Sequence, residues 1–260
     1  YFMDLRSQYK KMYKETKNEI YNTLQIGCKF LNASFYGVLG FSFSRIYNKE
    51  LAETITSTGR WLLQFVVNEL NKRGYIALYG DTDSVMVKLK SQKEKWLEEV
   101  NELQNFLNNS IKNVVKQFNV KENFLELKVD YIFEKVYFYG RKKRYFGKVV
   151  WKDGVWCDEI IARGLEVRRT DWCKLATEYE EMLIKYMLEG ITEALRFHNN
   201  FIKTIRNQPL EKFVIYKGLN KPLSAYVAKP PHVRVATEND MVGDKIGYII
   251  TGASKLDGVV

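Results

Sequence analysis

The chain has 260 residues, of which 46% are hydrophobic and 14% aromatic, and its formal net charge at pH 7 is +10. This composition excludes a disordered chain, and no apolar run approaches the roughly 18 residues of a transmembrane helix, so none is expected. The excess of Lys and Arg favours a polyanionic partner, nucleic acid rather than a membrane, because no basic amphipathic anchor stands out.

Cysteine and histidine are both scarce. The three cysteines, Cys28, Cys157 and Cys173, are odd in number and widely spaced, which argues against a disulfide framework and for a reducing compartment. Two histidines, His198 and His232, argue against a His-based nucleophilic triad or a zinc site. We therefore expect an intracellular protein, in the cytoplasm or nucleoid, or in a host cell if it is viral.

Two helices are predicted near the amino terminus, over residues 4–20 and over Glu19–Phe35. The first is rich in cations and has no Gly or Pro. Spacings of four and seven residues place two pairs of side chains on shared helical faces, namely Arg6 with Lys10 and Lys29 with Tyr36. The result is an antiparallel hairpin with cations along one side. Taken alone, such a stripe is more typical of an ordinary solvated surface.

A third helix is predicted over residues 49–71, with Asn48 as its N-cap. A β-hairpin follows over roughly residues 75–90. Next comes an amphipathic helix, whose apolar residues recur every three or four positions from Trp96 to Phe118. This apolar stripe is typical of core packing and indicates no cofactor.

The hairpin has an acidic turn, Gly80-Asp81-Thr82-Asp83-Ser84, between two apolar runs that favour β-structure. Asp81 and Asp83 are two residues apart, which places their carboxylates on one face wherever the backbone is extended. Clustered hard oxygen ligands suit Mg²⁺, so the turn is a candidate metal site. A solvated Asp-rich turn is the alternative interpretation of these five residues.

Beyond residue 124 the pattern changes to strands. Residues 125–130 alternate between apolar and polar, and residues 136–139 lead into the cationic run Arg141–Tyr145. Residues 145–162 continue as a hairpin with Asp153-Gly154 as its turn. Together with the acidic hairpin and the helix after it, these strands predict a split β-α-β sheet.

A second domain is predicted to begin near residue 165. From Gly164 the composition favours a long helix, capped by Thr170 or Asp171. All four prolines lie beyond residue 208, which predicts a loop-rich tail of different construction.

Five segments in a fixed order resemble the family B DNA polymerases. They are Lys29–Gly37 (KFLNASFYG) for motif B, Tyr79–Ser84 (YGDTDS) for motif C, Arg141–Tyr145 (RKKRY) for the KKRY element, and Gly164–Trp172 and Pro230–Ala236 for segments of the thumb. The match spans nearly the whole chain. Motif C followed by the KKRY element is a specific signal, which makes a chance acidic turn a poor explanation.

The resemblance implies an α+β fold, with an antiparallel palm sheet packed by helices, a helical fingers hairpin and a mainly helical thumb. On this basis we expect fingers helices over residues 1–40. The palm, with motif C and the KKRY element, is expected over residues 41–164, and an incomplete thumb over residues 165–260.

The implied activity is template-directed DNA synthesis, in which two Mg²⁺ ions help to add a deoxynucleotide to the 3′ end of a primer. Asp83 matches the principal metal ligand and catalytic carboxylate of motif C, and Asp81 matches an auxiliary, more dispensable one. The residues that match nucleotide-binding positions are Arg6, Lys10, Lys29, Asn32 and Tyr36. The residues that match the backbone contacts of primer-template DNA are Lys142, Lys143, Arg144 and Tyr145.

The chain departs from the family pattern at several positions. The family's motif B has an Asn four residues after its Lys, where this chain has Ala33, and Asn32 stands one residue earlier. On a helix Ala33 lies about 40° from Lys29 and Asn32 about 60° to the other side, so Asn32 approaches the nucleotide from a different angle. Lys128 stands where another acid is expected. Candidates for the accessory acidic group before the KKRY element are Glu126 and Asp130.

Motif A is the main departure. In the family its Asp-x-x-Ser-Leu-Tyr-Pro-Ser segment precedes the fingers, supplies the other metal-bridging Asp and excludes ribonucleotides, and we expect this chain to begin inside the fingers. We therefore expect the metal site to be completed by an Asp outside the chain, on a polypeptide or chain segment that also carries the exonuclease domain. The chain is then either a subunit of a naturally split polymerase or a fragment of a longer one, inactive alone. A sliding clamp is a further candidate partner.

Two rival interpretations remain. Reverse transcriptases also place acids on a palm hairpin, but as adjacent Asp residues, which Asp81-Thr82-Asp83 fits poorly. A degenerate polymerase kept as a non-catalytic DNA-binding subunit needs only the basic charge and the KKRY element. Both motif C acids are present, as are Arg6, Lys10 and Lys29, which match the family's triphosphate-binding cations, and this favours catalysis over that alternative.

Overall fold

The computed structural model describes residues 1–120, 122–169, 171–241 and 243–251. The chain forms two compact units, and the boundary between them in the sequence falls after Leu127. The architecture mixes helices with small antiparallel sheets, as predicted for an α+β protein. Among the described residues, no helix combines the length and the apolar character needed to cross a membrane.

The amino-terminal unit contains four helices and one β-hairpin among its described residues. These are α1 (Phe2–Thr16), α2 (Glu19–Gly40), α3 (Lys49–Lys72), β1 (Ile76–Asp81), β2 (Ser84–Lys88) and α4 (Trp96–Val115).

Helices α1 and α2 form the predicted antiparallel hairpin. The rings of Tyr9 and Tyr21 stack with their centroids 6.5 Å apart, and the rings of Phe2 and Phe35 pack at a tilt with their centroids 6.4 Å apart. The prediction of one helix as far as residue 20 is wrong, because Lys17 adopts a left-handed backbone conformation (φ 56°) that ends α1.

Short polar contacts secure both this connection and the next one. Asn18 Oδ1 accepts a hydrogen bond from Ile20 N at 3.0 Å, so Asn18 caps α2. The predicted N-cap of α3 is confirmed, since Asn48 Oδ1 accepts from Leu51 N at 3.0 Å.

The core of the amino-terminal unit lies between α3, α4 and the hairpin. The buried residues of this core are Val66, Leu70, Leu103, Leu107, Ile111 and Val115. Val85 and Val87 of β2 pack against them. The amphipathic stripe predicted from Trp96 onward therefore serves the core, as expected.

The strand predicted over residues 125–130 is wrong. These residues form no strand in the described structure, and the next strand begins at Tyr131. The side chain of Asn108 on α4 takes both backbone hydrogen bonds of Leu127. Its Oδ1 accepts from Leu127 N at 2.8 Å, and its Nδ2 donates to Leu127 O at 2.9 Å. The alternating pattern thus marks a segment whose backbone is satisfied in part by a side-chain amide and not by a strand partner.

The carboxy-terminal unit contains five strands and three helices among its described residues. These are β3 (Tyr131–Phe138), β4 (Tyr145–Lys152), β5 (Val155–Arg163), α5 (Lys174–Glu189), α6 (Ile191–Thr204), β6 (Ile215–Gly218), α7 (Pro231–Glu238) and β7 (Lys245–Tyr248). Strands β3, β4 and β5 form one antiparallel sheet, and β6 pairs with β7 in another. The described strands therefore form three separate sheets, and the predicted split β-α-β sheet is wrong.

The turn between β4 and β5 is confirmed at Asp153 and Gly154. Both residues have positive φ angles, 49° and 95°, as a two-residue hairpin turn of type I′ requires. Helix α5 packs on this sheet through a small core whose buried residues are Phe146, Ala162, Leu165, Ile184 and Leu188.

The predicted cap of α5 is wrong at Asp171, and Thr170 lies outside the described residues. Cys173 is the N-cap instead. The Asp171 carboxylate accepts hydrogen bonds from Arg169 Nε and Nη2, both at 2.8 Å, and from Lys217 Nζ at 2.6 Å. These hydrogen bonds, of which those from Arg169 contribute most, hold the pKa of Asp171 well below its usual range. The carboxylate of Asp171 therefore binds two cations and does not cap α5.

Glu99 joins the end of the acidic hairpin to α4. Its side chain is buried, at 8% exposure, and its carboxylate accepts hydrogen bonds from Lys90 N, Ser91 N and Ser91 Oγ at 2.9, 3.0 and 2.5 Å. Burial by itself raises the pKa of Glu99, but the bonds from Ser91 and Lys90 outweigh it and leave the pKa below 4.5.

Replacing Glu99 should therefore destabilise the amino-terminal unit. We expect Glu99→Ala to lower the free energy of unfolding by about 1–3 kcal/mol at pH 7, because three donors lose a buried acceptor. Because the pKa is lowered on folding, the contribution of Glu99 is present above about pH 4.5 and is lost as the pH falls through the folded pKa. Urea unfolding followed by circular dichroism, at pH 7 and at acidic pH, measures both effects.

The matched control is Glu98→Ala, one position earlier on α4, where the side chain is exposed. It should change the free energy of unfolding by less than about 0.5 kcal/mol. Equal losses in the two variants would contradict the anchoring role of Glu99.

Candidate active site

The acidic turn between β1 and β2 is tighter than an ordinary two-residue turn. Asp83 N donates a hydrogen bond to Asp81 O at 2.6 Å, which spans a single residue and defines a γ-turn. The central residue, Thr82, has a φ of 56°. A positive φ is rare for a β-branched residue, and the γ-turn of this hand is the strained one. The two aspartates therefore lie on either side of a strained threonine.

Hydroxyl groups within the turn fix one of these aspartates. Thr82 Oγ1 donates to Asp81 Oδ1 at 3.1 Å, and Ser84 Oγ donates to Asp81 O at 3.3 Å. Asp81 is half-buried, whereas Asp83 is exposed. The turn thus holds one carboxylate in place and presents the other to solvent.

A β-bulge lies in the strand that leads to this turn. The pairing of β1 with β2 shifts between Ala77 and Tyr79, so Leu78 is an extra residue in β1. Bulges often occur beside functional sites, where they redirect the side chains that follow. The signal for this bulge is not visible in the sequence, which shows only an apolar run.

The donor set of the turn suits Mg²⁺. Two carboxylates supply hard oxygen atoms, and Mg²⁺ is commonly held by one or two carboxylates together with substrate phosphates. No group of three or more His, Cys, Asp or Glu side chains that could hold a metal occurs in the described part of the chain. With two carboxylates, Asp81 and Asp83 suit one side of a metal site.

The residues predicted to bind nucleotide all lie on the helical hairpin of the amino-terminal unit. Arg6 and Lys10 are on α1, and the residues on α2 are Lys29, Asn32 and Tyr36. Arg6 lies between Phe2 and Tyr9, and Lys29 lies between their ring partners Tyr21 and Phe35. The hairpin therefore brings Arg6 and Lys29 into the same stretch of its length.

The exposure of these five side chains differs. Lys10 and Lys29 are exposed, Asn32 is half-buried, and the Tyr36 side chain is 46% exposed. Arg6 is half-buried, and its Nε atom is buried without a hydrogen-bond partner among the described residues. A buried guanidinium nitrogen without an acceptor is unusual, and an oxygen atom of a ligand can reach this enclosed donor only after neighbouring groups move.

The predicted DNA-binding residues lie in the carboxy-terminal unit, where β3 connects to β4. We call Arg141–Arg144 the basic turn. Arg144 N donates to Arg141 O at 3.4 Å, Tyr139 N donates to Arg144 O at 3.1 Å, and Lys143 has a positive φ of 65°. Lys142 and Lys143 are exposed. The backbone thus closes on itself and presents its cations outward.

The last two residues of the KKRY element are more enclosed. Arg144 Nη2 donates to Glu166 Oε1 at 2.8 Å, and these two side chains are 30% and 20% exposed. Tyr145 begins β4 and packs its ring against Phe133 and Phe138, with centroids 6.5 and 6.2 Å away. Glu166 was not identified as a site residue from the sequence, because its distance from Arg144 along the chain hides the contact.

The candidates for the accessory acidic group fall in different units of the chain. Glu126 belongs to the amino-terminal unit and Asp130 to the carboxy-terminal unit, and both side chains are exposed, as is that of Lys128. Asp130 O accepts a hydrogen bond from Asp153 N at 3.3 Å, which fixes the start of β3. Both candidates remain predictions.

Comparison with known proteins identifies the family. The model of DNA polymerase family B matches residues 1–258. The DNA polymerase alpha catalytic subunit of Arabidopsis thaliana is 35% identical over 257 residues, covering 92% of this chain and 16% of the relative. DNA polymerase 2 of Aeropyrum pernix is 30% identical over 261 residues, covering 96% of this chain and 30% of the relative.

A solved structure agrees with these sequence relatives. The family B DNA polymerase of Pyrobaculum calidifontis superimposes with a TM-score of 0.63 at 27% identity, covering 98% of this chain and 32% of that protein. The chain thus spans about a third or less of the length of the relatives named here. With motif B, motif C and the KKRY element in family order, the chain belongs to DNA polymerase family B.

Proposed function

We propose that this chain is the carboxy-terminal portion of a template-directed DNA polymerase that extends a primer 3′ end with deoxynucleotides. The observation that carries the proposal is the γ-turn of motif C, which places Asp81 and Asp83 on either side of a strained Thr82 in a family B chain. Strain of about 1–3 kcal/mol at one residue tends to be retained where it serves a site.

Asp83 is the principal metal ligand in this proposal, because its carboxylate is exposed and can reach a bound ion. Asp81 is auxiliary, since its carboxylate already accepts a hydrogen bond from Thr82. Magnesium bound here would lower the pKa of the primer 3′-hydroxyl and neutralise charge on the triphosphate and its pyrophosphate leaving group. An Asp of motif A, supplied from outside these residues together with the exonuclease domain, completes the proposed site.

The helical hairpin binds the triphosphate in this proposal. Arg6 has a buried Nε without a partner in the described structure, so a phosphate oxygen would bind it without displacing another acceptor once neighbouring side chains move aside. Lys10 and Lys29 are exposed cations that neutralise phosphate charge. Asn32 contacts the nucleotide from α2, the helix that carries Lys29, and the partly exposed ring of Tyr36 packs under the nascent base pair.

The KKRY element holds primer-template DNA through its backbone. Phosphate contacts position a duplex without reading its sequence, and they release condensed counterions. The exposed cations of the basic turn suit that task. A purely DNA-binding, non-catalytic role is the alternative, supported by the net charge of +10 and by the fact that the basic turn requires no metal.

Substituting the principal carboxylate should separate these two functions. With a motif A portion supplied, we expect Asp83→Asn to reduce primer extension by about a thousandfold, because the loss of a metal ligand costs several kcal/mol in the transition state. Asp81→Asn should cost less. Duplex affinity, measured by fluorescence anisotropy, should not fall in either variant.

The control is Asp153→Asn, which makes the same change in the turn between β4 and β5, where Asn tolerates the positive φ. It should leave extension unchanged. Full extension by the Asp83→Asn enzyme would reject catalysis at this turn and support the DNA-binding alternative.

The salt dependence of binding tests the role of the basic turn. We expect Lys142→Gln to weaken duplex binding and to reduce the slope of log K against log [salt] by about one, since one phosphate contact is lost. Anisotropy titrations between about 50 and 200 mM salt measure that slope. A slope equal to that of the parent chain would show that Lys142 does not neutralise a phosphate.

A further inference from the structure

The basic turn lies against the segment that follows β5, Gly164–Val167, because Tyr145 at the start of β4 pairs with Arg163 at the end of β5. Gly164 has a φ of 63°, and a Cβ atom at that position would lie 2.2 Å from Lys143 O. No side chain fits between the two backbones, and the φ angle itself disfavours any residue with a Cβ. The contact between Gly164 and the basic turn therefore depends on glycine.

An ion pair ties the same two segments together. Arg144 Nη2 lies 2.8 Å from Glu166 Oε1, with both side chains more than two-thirds shielded from solvent. A guanidinium group paired in this way must break the pair, or share it, before it can grip a phosphate. The neighbouring Lys142 is exposed, so burial does not restrict its access to a phosphate.

The Gly164–Val167 segment is itself well anchored. Leu165 is 1% exposed and packs in the core with Phe146 and Ile184. Val167 N donates to the carboxylate of Glu180 on α5. The segment can therefore hold the basic turn in a fixed position.

We propose that Gly164 and Glu166 are positioning residues for DNA binding, and that Arg144 tethers the basic turn to them instead of contacting a phosphate. The exposed cations of the turn then make the phosphate contacts. This inference rests on the proposed function, since it assumes that the basic turn binds duplex DNA. It deepens that proposal by dividing the KKRY element into cations that contact DNA and one that shapes the turn.

The two roles of Arg144 predict opposite effects of removing its acidic partner. If Arg144 contacts a phosphate, loss of Glu166 frees the guanidinium group and removes a negative charge, so duplex affinity rises. If Arg144 is a tether, loss of Glu166 loosens the turn, and affinity falls although the chain has become more positive. The sign of the change thus distinguishes positioning from contact.

The test measures duplex binding by the full chain with Glu166→Ala, using fluorescence anisotropy. We expect affinity to fall about two- to fivefold, the effect of a partly exposed ion pair, with the salt slope unchanged. The matched control is Glu181→Ala, which removes an exposed acid of α5; its affinity should stay the same or rise. A rise in affinity for Glu166→Ala would overturn the inference.

A charge exchange provides the second variant. Arg144→Glu alone should weaken binding, and adding Glu166→Arg should restore most of it, because the tether is rebuilt with reversed polarity. Failure of the double variant to recover, with circular dichroism showing it folded, would overturn the inference. Gly164→Ala should also weaken binding, since its Cβ displaces Lys143.

The two proposals fail in different ways. If the unmodified chain does not bind duplex DNA at low salt, the proposed DNA-binding role of the basic turn is rejected, and this inference with it. If the unmodified chain binds and only the Glu166 and Arg144 variants behave contrary to expectation, the inference alone is rejected.

Discussion

The packing of the acidic hairpin against α3 and α4 is the constraint on which the candidate metal site depends. A two-stranded hairpin alone is marginally stable in water, so the shape of its turn must be fixed from elsewhere. Val85 and Val87 of β2 join the helical core, and Glu99 anchors the end of that strand. This support maintains a strained Thr82 that an unsupported turn would relax. The chemistry of two aspartates thus depends on apolar burial a few residues away.

Residue spacing and turn chemistry predicted the helices, caps and turns that depend mainly on residues close together in the sequence. The helical hairpin, the cap at Asn48 and the turn at Asp153-Gly154 all follow from spacing and turn chemistry. Prediction failed where a distant side chain competed for the backbone. Asn108 satisfies the backbone of Leu127 and prevents a strand there, and Lys217 helps to draw Asp171 away from the helix it was expected to cap. Such partners are invisible to a reading of neighbouring residues.

The same limit applies to the candidate site. Motif residues such as Asp83 and Lys142 are recognisable because their types and spacing carry the chemistry. Glu166 is not, since its relevance comes from an ion pair with Arg144 that only the folded sheet creates. The orphan Nε of Arg6 is a further example, because the sequence reveals a cation but not its burial. Sequence therefore identified the groups proposed to contact substrates better than the groups that support them.

The two-residue connection between α1 and α2 has a consequence for the entropy of folding. Lys17 and Asn18 alone close this hairpin, whereas β6 and β7 can pair only after the chain between Gly218 and Lys245 has been brought back on itself. The entropic cost of closing a loop grows with its length, so the amino-terminal hairpin is inexpensive to order and the β6–β7 pair is costly. Tertiary contacts such as the burial of Ile246, at 1% exposure, must offset that cost. The order of the β6–β7 pair thus depends more on tertiary contacts than the order of the α1–α2 hairpin does.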